Sequence, residues 1–408
     1  MDIRPILSTL RRHKTAAALI VLEIALACAI VCNALFLIGN RIETLQRPSG
    51  IAESQLVTVA LGGIGQQVNA AARTREDLAA LRAVPGVRNA TILNQLPFVH
   101  YSWNTGLALT PDQERPTLNA AQYMAEEGML QTLGLRLAAG RDFSPDEYLE
   151  METAQTDKEV QKKGTAIILN RATAEKMFPG QNALGKAVYL GQVAARVVGI
   201  VETLARPNAN NSLAQIDYAM LLPMRLNYTD GLYVLRVTDP ARRQDVIAAA
   251  TAALMKVDNS RLVLKQQTYA EIREAYFQGD RAMVWLLGAV CIALLIVTAL
   301  GIVGLASFWV QQRTRQIGIR RALGATRGQI LRYFQTENFL LASTGIVLGM
   351  LLAYAINQWL MDKYELPRLP LYYLPFGALA LWLLGQIAVF APARRAAAVP
   401  PAVATRSA

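Results

Sequence analysis

Four stretches of this 408-residue chain are long and apolar enough to cross a lipid bilayer, and they restrict its fold more than any other feature. They run over Thr15–Gly39, Met283–Val310, Phe339–Met361 and Tyr372–Ala391. A spanning helix needs roughly 20 apolar residues to cross a hydrocarbon core of about 30 Å. Inside that core each backbone polar group must be bonded within its own segment, so the four stretches read as helices. About 240 residues of ordinary soluble composition separate the first stretch from the second. With 53% hydrophobic residues overall, the chain is too apolar for a soluble protein and too polar for spans alone. The first stretch has a basic start, and its "ALAC" ends at Cys28 like a lipoprotein cleavage box. It is nevertheless too long for a leader's apolar region, Glu23 interrupts it, and Ala25 stands where Leu is usual, so it reads as a retained span.

Charge sets the expected orientation. The segment before the first span carries Arg4, Arg11, Arg12 and Lys14. Residues 311–337 carry Arg313, Arg315, Arg320, Arg321, Arg327 and Arg332, and the tail carries Arg394, Arg395 and Arg406. Against these stand only Asp2 and Glu337, so the three segments hold a surplus equal to the net +11 of the whole chain. Residues 40–282 are nearly neutral, and the turn at 362–371 balances Lys363 and Arg368 against Asp362 and Glu365. Basic loops stay on the cytoplasmic side. Both termini and the 311–337 loop are therefore expected inside, and the large domain outside.

The stretch "GQNALGKA" comes within one residue of the phosphate-binding pattern G-x-x-x-x-G-K-S/T. Gly180, Gly185 and Lys186 are in place, but Ala187 replaces the hydroxyl that would bind magnesium. On the outer side there is no ATP to bind, so this stretch reads instead as a turn at Pro179-Gly180 followed by a strand through Val188-Tyr189-Leu190. Cys28, Cys32 and Cys291 all lie in spans, so no disulfide framework holds the outer domain. His13 and His100 are too isolated for a metal site, and no nucleophile stands with a base in the pattern. The chain is not expected to be an enzyme by itself.

The outer domain alternates strand and helix patterns. Ser54–Leu61 reads as a strand. Thr74–Val84 reads as a helix capped by Thr74, with Leu78, Leu81 and Val84 on one face. "NATILNQLPF" returns as a strand. Near the end, Leu232–Thr238 and "RLVLKQQ" read as strands around the helix "PARRQDVIAAATAALMKV". The two β-α-β units are expected to pack as one α/β module, with a more β-rich lobe inserted between them. Within that lobe, "AIILNRATAEKMFPG" gives a strand and a short helix, the region around Gly191-Gln192 two strands, and "YAMLLPM" another. Ser144–Gly164 is charged and weakly patterned and reads as an exposed loop, as does Arg206–Ser212. "TYAEIREAYFQGDRAMVW" continues a helical pattern into the second span and reads as a stiff rod.

The loop "QQRTRQIGIRRALGATRGQILRYF" (Gln311–Phe334) is the most informative segment. Ile317, Ala322 and Leu323 form one stripe of a short helix, and Arg313, Arg315, Arg320, Arg321 and Arg327 crowd the rest. Gly324 offers a break, and Thr326 caps a second helix that carries Ile330, Leu331 and Phe334 into the third span. Such a helix suits an anionic lipid surface or a groove on a cytoplasmic partner, and periodicity does not choose between them. Its place between two spans argues against nucleic acid.

"RTRQIGIRRALGATRGQILRYF" followed by a span resembles the signature loop of FtsX-like ABC transporter permeases. "LGLRLAAGRDFS", "AIILNRATAEKMFPGQNALGKAVYL" and "ARVVGIV" resemble blocks of the MacB-type periplasmic core domain. The resemblance covers nearly the whole chain and implies the following. The fold class is an α+β membrane protein: four transmembrane helices plus a large extracytoplasmic α/β domain with a porter-like lobe and an inserted β-rich lobe. The chain is a permease in the inner (cytoplasmic) membrane, a homodimer or a heterodimer with a related permease. It binds cytoplasmic ABC ATPase subunits, which hold ATP and Mg, and it binds no cofactor or metal itself. Ile317, Ile319, Ala322 and Leu323 fill a groove on the ATPase, Arg320 and Arg321 reach its rim, and Gly324 turns the chain back to the membrane. The spans form no substrate channel; ATP-driven closure moves the outer domains like a bellows. A periplasmic adaptor and an outer-membrane exit duct extend the path. MacB carries its ATPase before the first span, where this sequence has 14 residues, so the ATPase is expected on a separate chain. The function implied is efflux of a hydrophobic or amphipathic compound or peptide. The alternatives are an FtsX-like mechanical regulator of a cell-wall hydrolase and a lipoprotein-extracting permease.

The layout is then a cytoplasmic N-terminus at 1–14, a span at 15–40, and an outer core domain at 41–281. That domain divides into a porter-like lobe at 41–130 and 230–267, an inserted lobe at 131–229 and a stalk helix at 268–281. Spans follow at 282–310, 338–361 and 372–391, with the coupling loop at 311–337, an outer turn at 362–371 and a tail at 392–408. Inside the spans, Glu23 is an expensive carboxylate. It reads as a proton relay or interface switch, or as a buried group bonded to a neighbouring helix. Asn33 is expected to bond to another helix, and Gly345 and Gly349 permit close packing, within the subunit or between subunits.

Overall fold

The computed structural model describes residues 14–63, 69–208, 218–229, 231–364 and 368–398. Arg4, Arg11, Arg12, His13 and Arg406, and most of the 206–212 loop, lie outside the described residues. The chain divides into an α/β unit, Arg47–Gln278, and a helical unit made of the residues on either side of it.

Helix α1 (Lys14–Leu45) opens the helical unit. One face carries small residues, Ala17, Ala25, Cys28, Ala29 and Cys32, all buried. The opposite face exposes Leu19, Leu22 and Leu26. Small residues let helix backbones approach where no hydrophobic gain drives helices together in lipid.

In the α/β unit, β1 (Leu56–Gly62), helix α2 (Ala70–Arg82) and β2 (Val87–Leu93) form the first β-α-β element. The inserted lobe contributes β3 (Asn104–Leu107), β4 (Leu118–Ala125), α3 (Met129–Leu133), β5 (Leu137–Gly140), β6 (Leu149–Glu150), α4 (Met151–Thr156) and α5 (Lys158–Lys163). It continues with β7 (Thr165–Asn170), α6 (Arg171–Met177), β8 (Ala187–Leu190), β9 (Val193–Val201) and β10 (Ala219–Arg225). Then β11 (Leu232–Val237), α7 (Arg243–Val257), β12 (Leu262–Thr268) and α8 (Tyr269–Tyr276) complete the unit.

The sheet order β12-β1-β11-β2 is antiparallel throughout, with Val57 opposite both Leu235 and Thr268. This is the split β-α-β arrangement, in which α2 and α7 cover one face. The link from β2 to β11 has become the inserted lobe, whose strands run β4-β10-β7-β9-β5 and join β2 through one residue pair, Leu93 with Ala125. The boundary therefore falls near residue 94. β3 and β4, which the sequence reading put in the first lobe, pair with each other, and β4 pairs with β10.

A buried ion pair ties the helices to the first lobe's sheet. Arg261 grips Asp77 of α2 through two bonds of 2.5 and 2.9 Å, and the Tyr233 hydroxyl of β11 donates to the same carboxylate at 2.5 Å. Arg261 also donates to the Leu254 carbonyl at 3.0 Å and lies over the Tyr228 ring. Both charged side chains are fully buried.

Several local expectations change. Thr74 does not cap α2; it lies one turn inside, donates to the Ala70 carbonyl and accepts from the Tyr228 N–H at 2.9 Å. Ser144–Gly164 is not a loop. Ser144 and Glu147 form a capping box, Arg141 clasps Glu147 with bonds of 2.6 and 2.8 Å, and β6 pairs with β10 before α4 and α5 follow. Arg206 is buried and donates to Asn104. The stiff rod is interrupted, because Phe277 leaves the helical backbone between α8 and the next helix. The near phosphate loop is a turn, with Gly180 and Gly185 at positive φ, and then β8. Lys186 bonds to Gln181 and covers the Phe178 ring.

Glu126, just past β4, is buried. Burial, and then the neighbouring Glu127, hold its carboxyl above the ordinary carboxylate range. A raised folded-state pKa means that the protonated form is preferred in the fold, so its contribution is present at low pH and lost as pH rises through the folded value. Glu126→Gln is expected to raise the unfolding temperature at pH 8 and to change it little at pH 4; equal shifts at both would contradict the assignment.

The helical unit resumes with α9 (Gln278–Gln312), α10 (Thr314–Ala322), α11 (Arg327–Tyr364) and α12 (Tyr373–Ala398). α1, α9, α11 and α12 are each long and apolar enough to cross a membrane. α11 packs against both α1 and α12, and α1 also touches α12. α9 is peripheral: only 17% of its apolar window is buried, against 56% for α1. A Cβ on Gly345 would come within 2.9 Å of Ile24, and one on Gly349 within 2.5 Å of Cys28, so these glycines serve packing inside the chain. Asn33 donates to Ala353 of α11 at 3.1 Å, the interhelical bond that the sequence suggested. The Glu23 carboxylate occupies the notch left by Gly301 of α9.

Candidate coupling site

Residues 311–337 fold into a short helix, a tight turn and the start of a long helix. α10 ends in a Schellman turn: Gly324 donates to the Arg321 carbonyl at 3.1 Å, Ala325 to the Arg320 carbonyl at 3.0 Å, and Gly324 has φ +98. Only glycine adopts that conformation without strain. Thr326 then caps α11. Its hydroxyl accepts from the Gln329 N–H, and its own N–H donates to the Gln329 side chain at 2.9 Å.

The helix is anchored from below by a charge pair. Arg313, where α9 gives way to α10, donates to both oxygens of Glu337 on α11, at 3.0 and 2.9 Å. Its guanidinium also lies over Trp309. Both side chains are buried, and removing one partner of such a pair strands the other charge away from water.

Ile317 corrects the expected apolar stripe. It is buried with Ile330 and Phe334 of α11 and with Ala393, Ala396 and Ala397 of α12, so it packs α10 onto its own chain and is not available to a groove elsewhere. Ile319 and Leu323 remain outside, 46% and 83% exposed, and Ala322 is exposed as well. Arg320 lies over the Tyr333 ring at 5.1 Å, while Arg321 is only partly exposed. A cavity of about 190 Å³ opens beside the helix, between Gln316, Ile317 and Arg320 on one side and Ile330 and Phe334 on the other. The helix thus presents a small apolar knob, Ile319 with Leu323, in a basic setting on a base fixed by Arg313, Ile317 and Glu337. The sequence reading missed the Arg313–Glu337 pair. Its signal was that Glu337 is the one acid in an arginine-rich loop.

Each unit also holds a clamp between segments far apart in sequence. In the helical unit, Arg41 of α1 binds Asp280 of α9 at 2.5 Å. In the α/β unit, Arg273 of α8 donates to the Arg47 carbonyl and to Glu53, both at 2.7 Å, so the first and last segments of that unit are joined. Arg273 also lies over Phe98 and Phe277, at 4.7 and 5.3 Å. Phe98 has φ +59, which is rare for a bulky residue, and its buried ring packs on Phe277.

Family models match these two parts separately. The MacB-like periplasmic core domain matches residues 17–253, and the FtsX-like permease C-terminal region matches residues 288–401. The chain belongs to the MacB-like family of FtsX-type permeases. Among its relatives is the macrolide export ATP-binding/permease protein MacB of Chromobacterium violaceum. That protein is 27% identical over 293 residues, which cover 70% of this chain and 43% of the relative. The pyoverdine export ATP-binding/permease protein PvdT of Pseudomonas putida is 28% identical over 266 residues, covering 62% and 39%. This permease spans less than half the length of the curated relatives it matches. The solved periplasmic region of MacB from Actinobacillus actinomycetemcomitans aligns with 57% of the chain and 97% of that structure, at 15% identity and a TM-score of 0.35. A MacB-like permease with four apolar helices is a membrane protein with an extracellular domain, here the α/β unit.

Proposed function

We propose that this permease transmits force: a separate cytoplasmic ATPase, which holds the ATP and Mg, pushes on α10, and the motion drives export through the outer domain. The observation that carries this reading is the exposed Leu323 and Ile319 on a helix whose other face is locked to its own chain. A leucine 83% exposed beside five arginines gains little from water and suits a groove on a partner. α10 is joined to α9 at Arg313, to α11 through Glu337 and Ile330, and to α12 through Ala393 and Ala396. A displacement of the knob therefore moves three membrane helices together. The Arg41–Asp280 and Arg273 clamps would keep the segments flanking the outer domain from moving apart under that load.

In this reading the chain lies in the inner membrane with both termini and α10 cytoplasmic, pairs with a second permease copy or a related permease, and uses no channel of its own. Its cargo is a hydrophobic or amphipathic compound or peptide, handed to an adaptor and an outer-membrane duct. Isolation of the tagged chain from native membranes after crosslinking is expected to bring down an ABC ATPase subunit. A cysteine placed at Arg320 should react with impermeant maleimide only after the inner face is opened. Labelling at Arg320 from the outer face, or ATP hydrolysis by the purified chain alone, would refute the reading.

A further inference from the structure

We propose that the inserted lobe binds a small amphipathic anion beneath the strap formed by residues 144–164, with its apolar part in a chamber and its charge at a basic rim. This rests on the export reading, and it names the site and the class of cargo. The strap crosses the lobe's sheet and is held at one end by the Arg141–Glu147 pair and further along by the pairing of β6 with β10. Under it lies a chamber of about 180 Å³, walled by Leu149, Leu222 and Met224 and covered by Ala154 of α4. An apolar cavity of about 150 Å³ accepts a benzene ring, so this chamber takes one ring or a short alkyl chain.

The polar side chains on the chamber wall are Thr105, Gln122, Gln161 and Thr165. Thr105 donates to the Gln122 carbonyl oxygen at 2.5 Å, and the Gln122 amide nitrogen meets the Met124 sulfur at 3.4 Å. A thioether is a weak acceptor, so the Gln122 amide keeps donor capacity for a ligand. Leu149, Gly164 and Thr165 line both the chamber and a wider groove of about 610 Å³, so the two spaces adjoin along these residues. That groove carries Arg141, Lys163 and Arg196 against Asp146 and Glu147. Glu147 is matched by Arg141, so among the described residues lining the groove the exposed Lys163 and Arg196 face only Asp146, and the rim favours an anion. Apolar walls with a few placed polar groups are the usual make-up of a small-molecule site.

The test uses the full chain in lipid nanodiscs, without any ATPase, titrated calorimetrically with 3-phenylpropionate and with its neutral analogue 3-phenylpropanol. Saturable binding of the acid is expected, weakened at least tenfold by Ala154→Trp, which plugs the chamber. The double change Lys163→Glu and Arg196→Glu lies at exposed positions that the fold does not need. It should weaken the acid at least tenfold and leave the alcohol unchanged. Absence of saturable binding, or acid binding that the double variant leaves intact, overturns the site. Because no ATPase is present, either result leaves the coupling role of Leu323 untouched, and loss of that role would not alter this binding.

Discussion

Leu323→Asp is expected to abolish stimulation of the partner ATPase while the permease still inserts and folds. Leu323 makes no buried contact in its own chain, so replacing it removes nothing from the fold. At a protein interface, a central anchor residue is worth about 2 kcal/mol or more, and a buried carboxylate without a partner adds its own desolvation cost. Binding should weaken by roughly 30-fold or more. Reconstitution with the cognate ATPase measures this directly: the variant should show the basal hydrolysis rate of the ATPase alone and fail to co-purify with it. Normal stimulation by Leu323→Asp would remove α10 as the docking element. Ile317→Asp provides a contrast, because Ile317 is buried against α11 and α12. That variant should lose folding and coupling together.

The second large effect concerns stability. Asp77→Ala takes the two-bond carboxylate from the buried Arg261 guanidinium, leaving it the more distant Asp258 at 3.8 Å, and takes the acceptor from the Tyr233 hydroxyl. Breaking a buried pair on one side costs about 3–5 kcal/mol. For a unit of this size each kcal/mol lowers the melting temperature by about 2–4 °C, so the outer domain should melt roughly 6–20 °C lower. Scanning calorimetry of the full chain, with hydrogen exchange to locate the loss in α2 and β11, checks the figure. A drop below about 2 °C would mean that the pair is hydrated in solution and that the helix layer is held by apolar packing alone. The distinction bears on the proposed force transmission, under which the domain must not yield at its own helix-to-sheet contacts.

The sequence exposed those features whose cause is local. The spans follow from runs of apolar residues, and the strands around Gly191-Gln192 from β-branched content and a turn. The break at Gly324 follows from the one residue that tolerates φ +98, and the cap at Thr326 from a partner three residues on. What it concealed was pairing at a distance. Asp77 and Arg261 are 184 residues apart, and Arg313 and Glu337 are 24 apart, with α10, a turn and the start of α11 between them. No period links such partners. The strap was misread for a related reason: its hydrogen bonds go to β10, some 75 residues later, so its own weak pattern suggested a loop.

By itself, then, the chain determined that it has four membrane-length helices, two β-α-β elements around an insertion, and a basic turn between spans. Each of these rests on composition or spacing within about 30 residues, whereas the family showed in the resemblance of whole motif blocks. The tertiary structure decided how shared features were spent. It set Gly345 and Gly349 against Ile24 and Cys28 of the same chain, turned Ile317 inward while leaving Leu323 in water, and opened a chamber under residues 144–164. Packing makes those choices because an apolar residue gains by burial against any neighbour of the right shape, and only the fold says which neighbour is there.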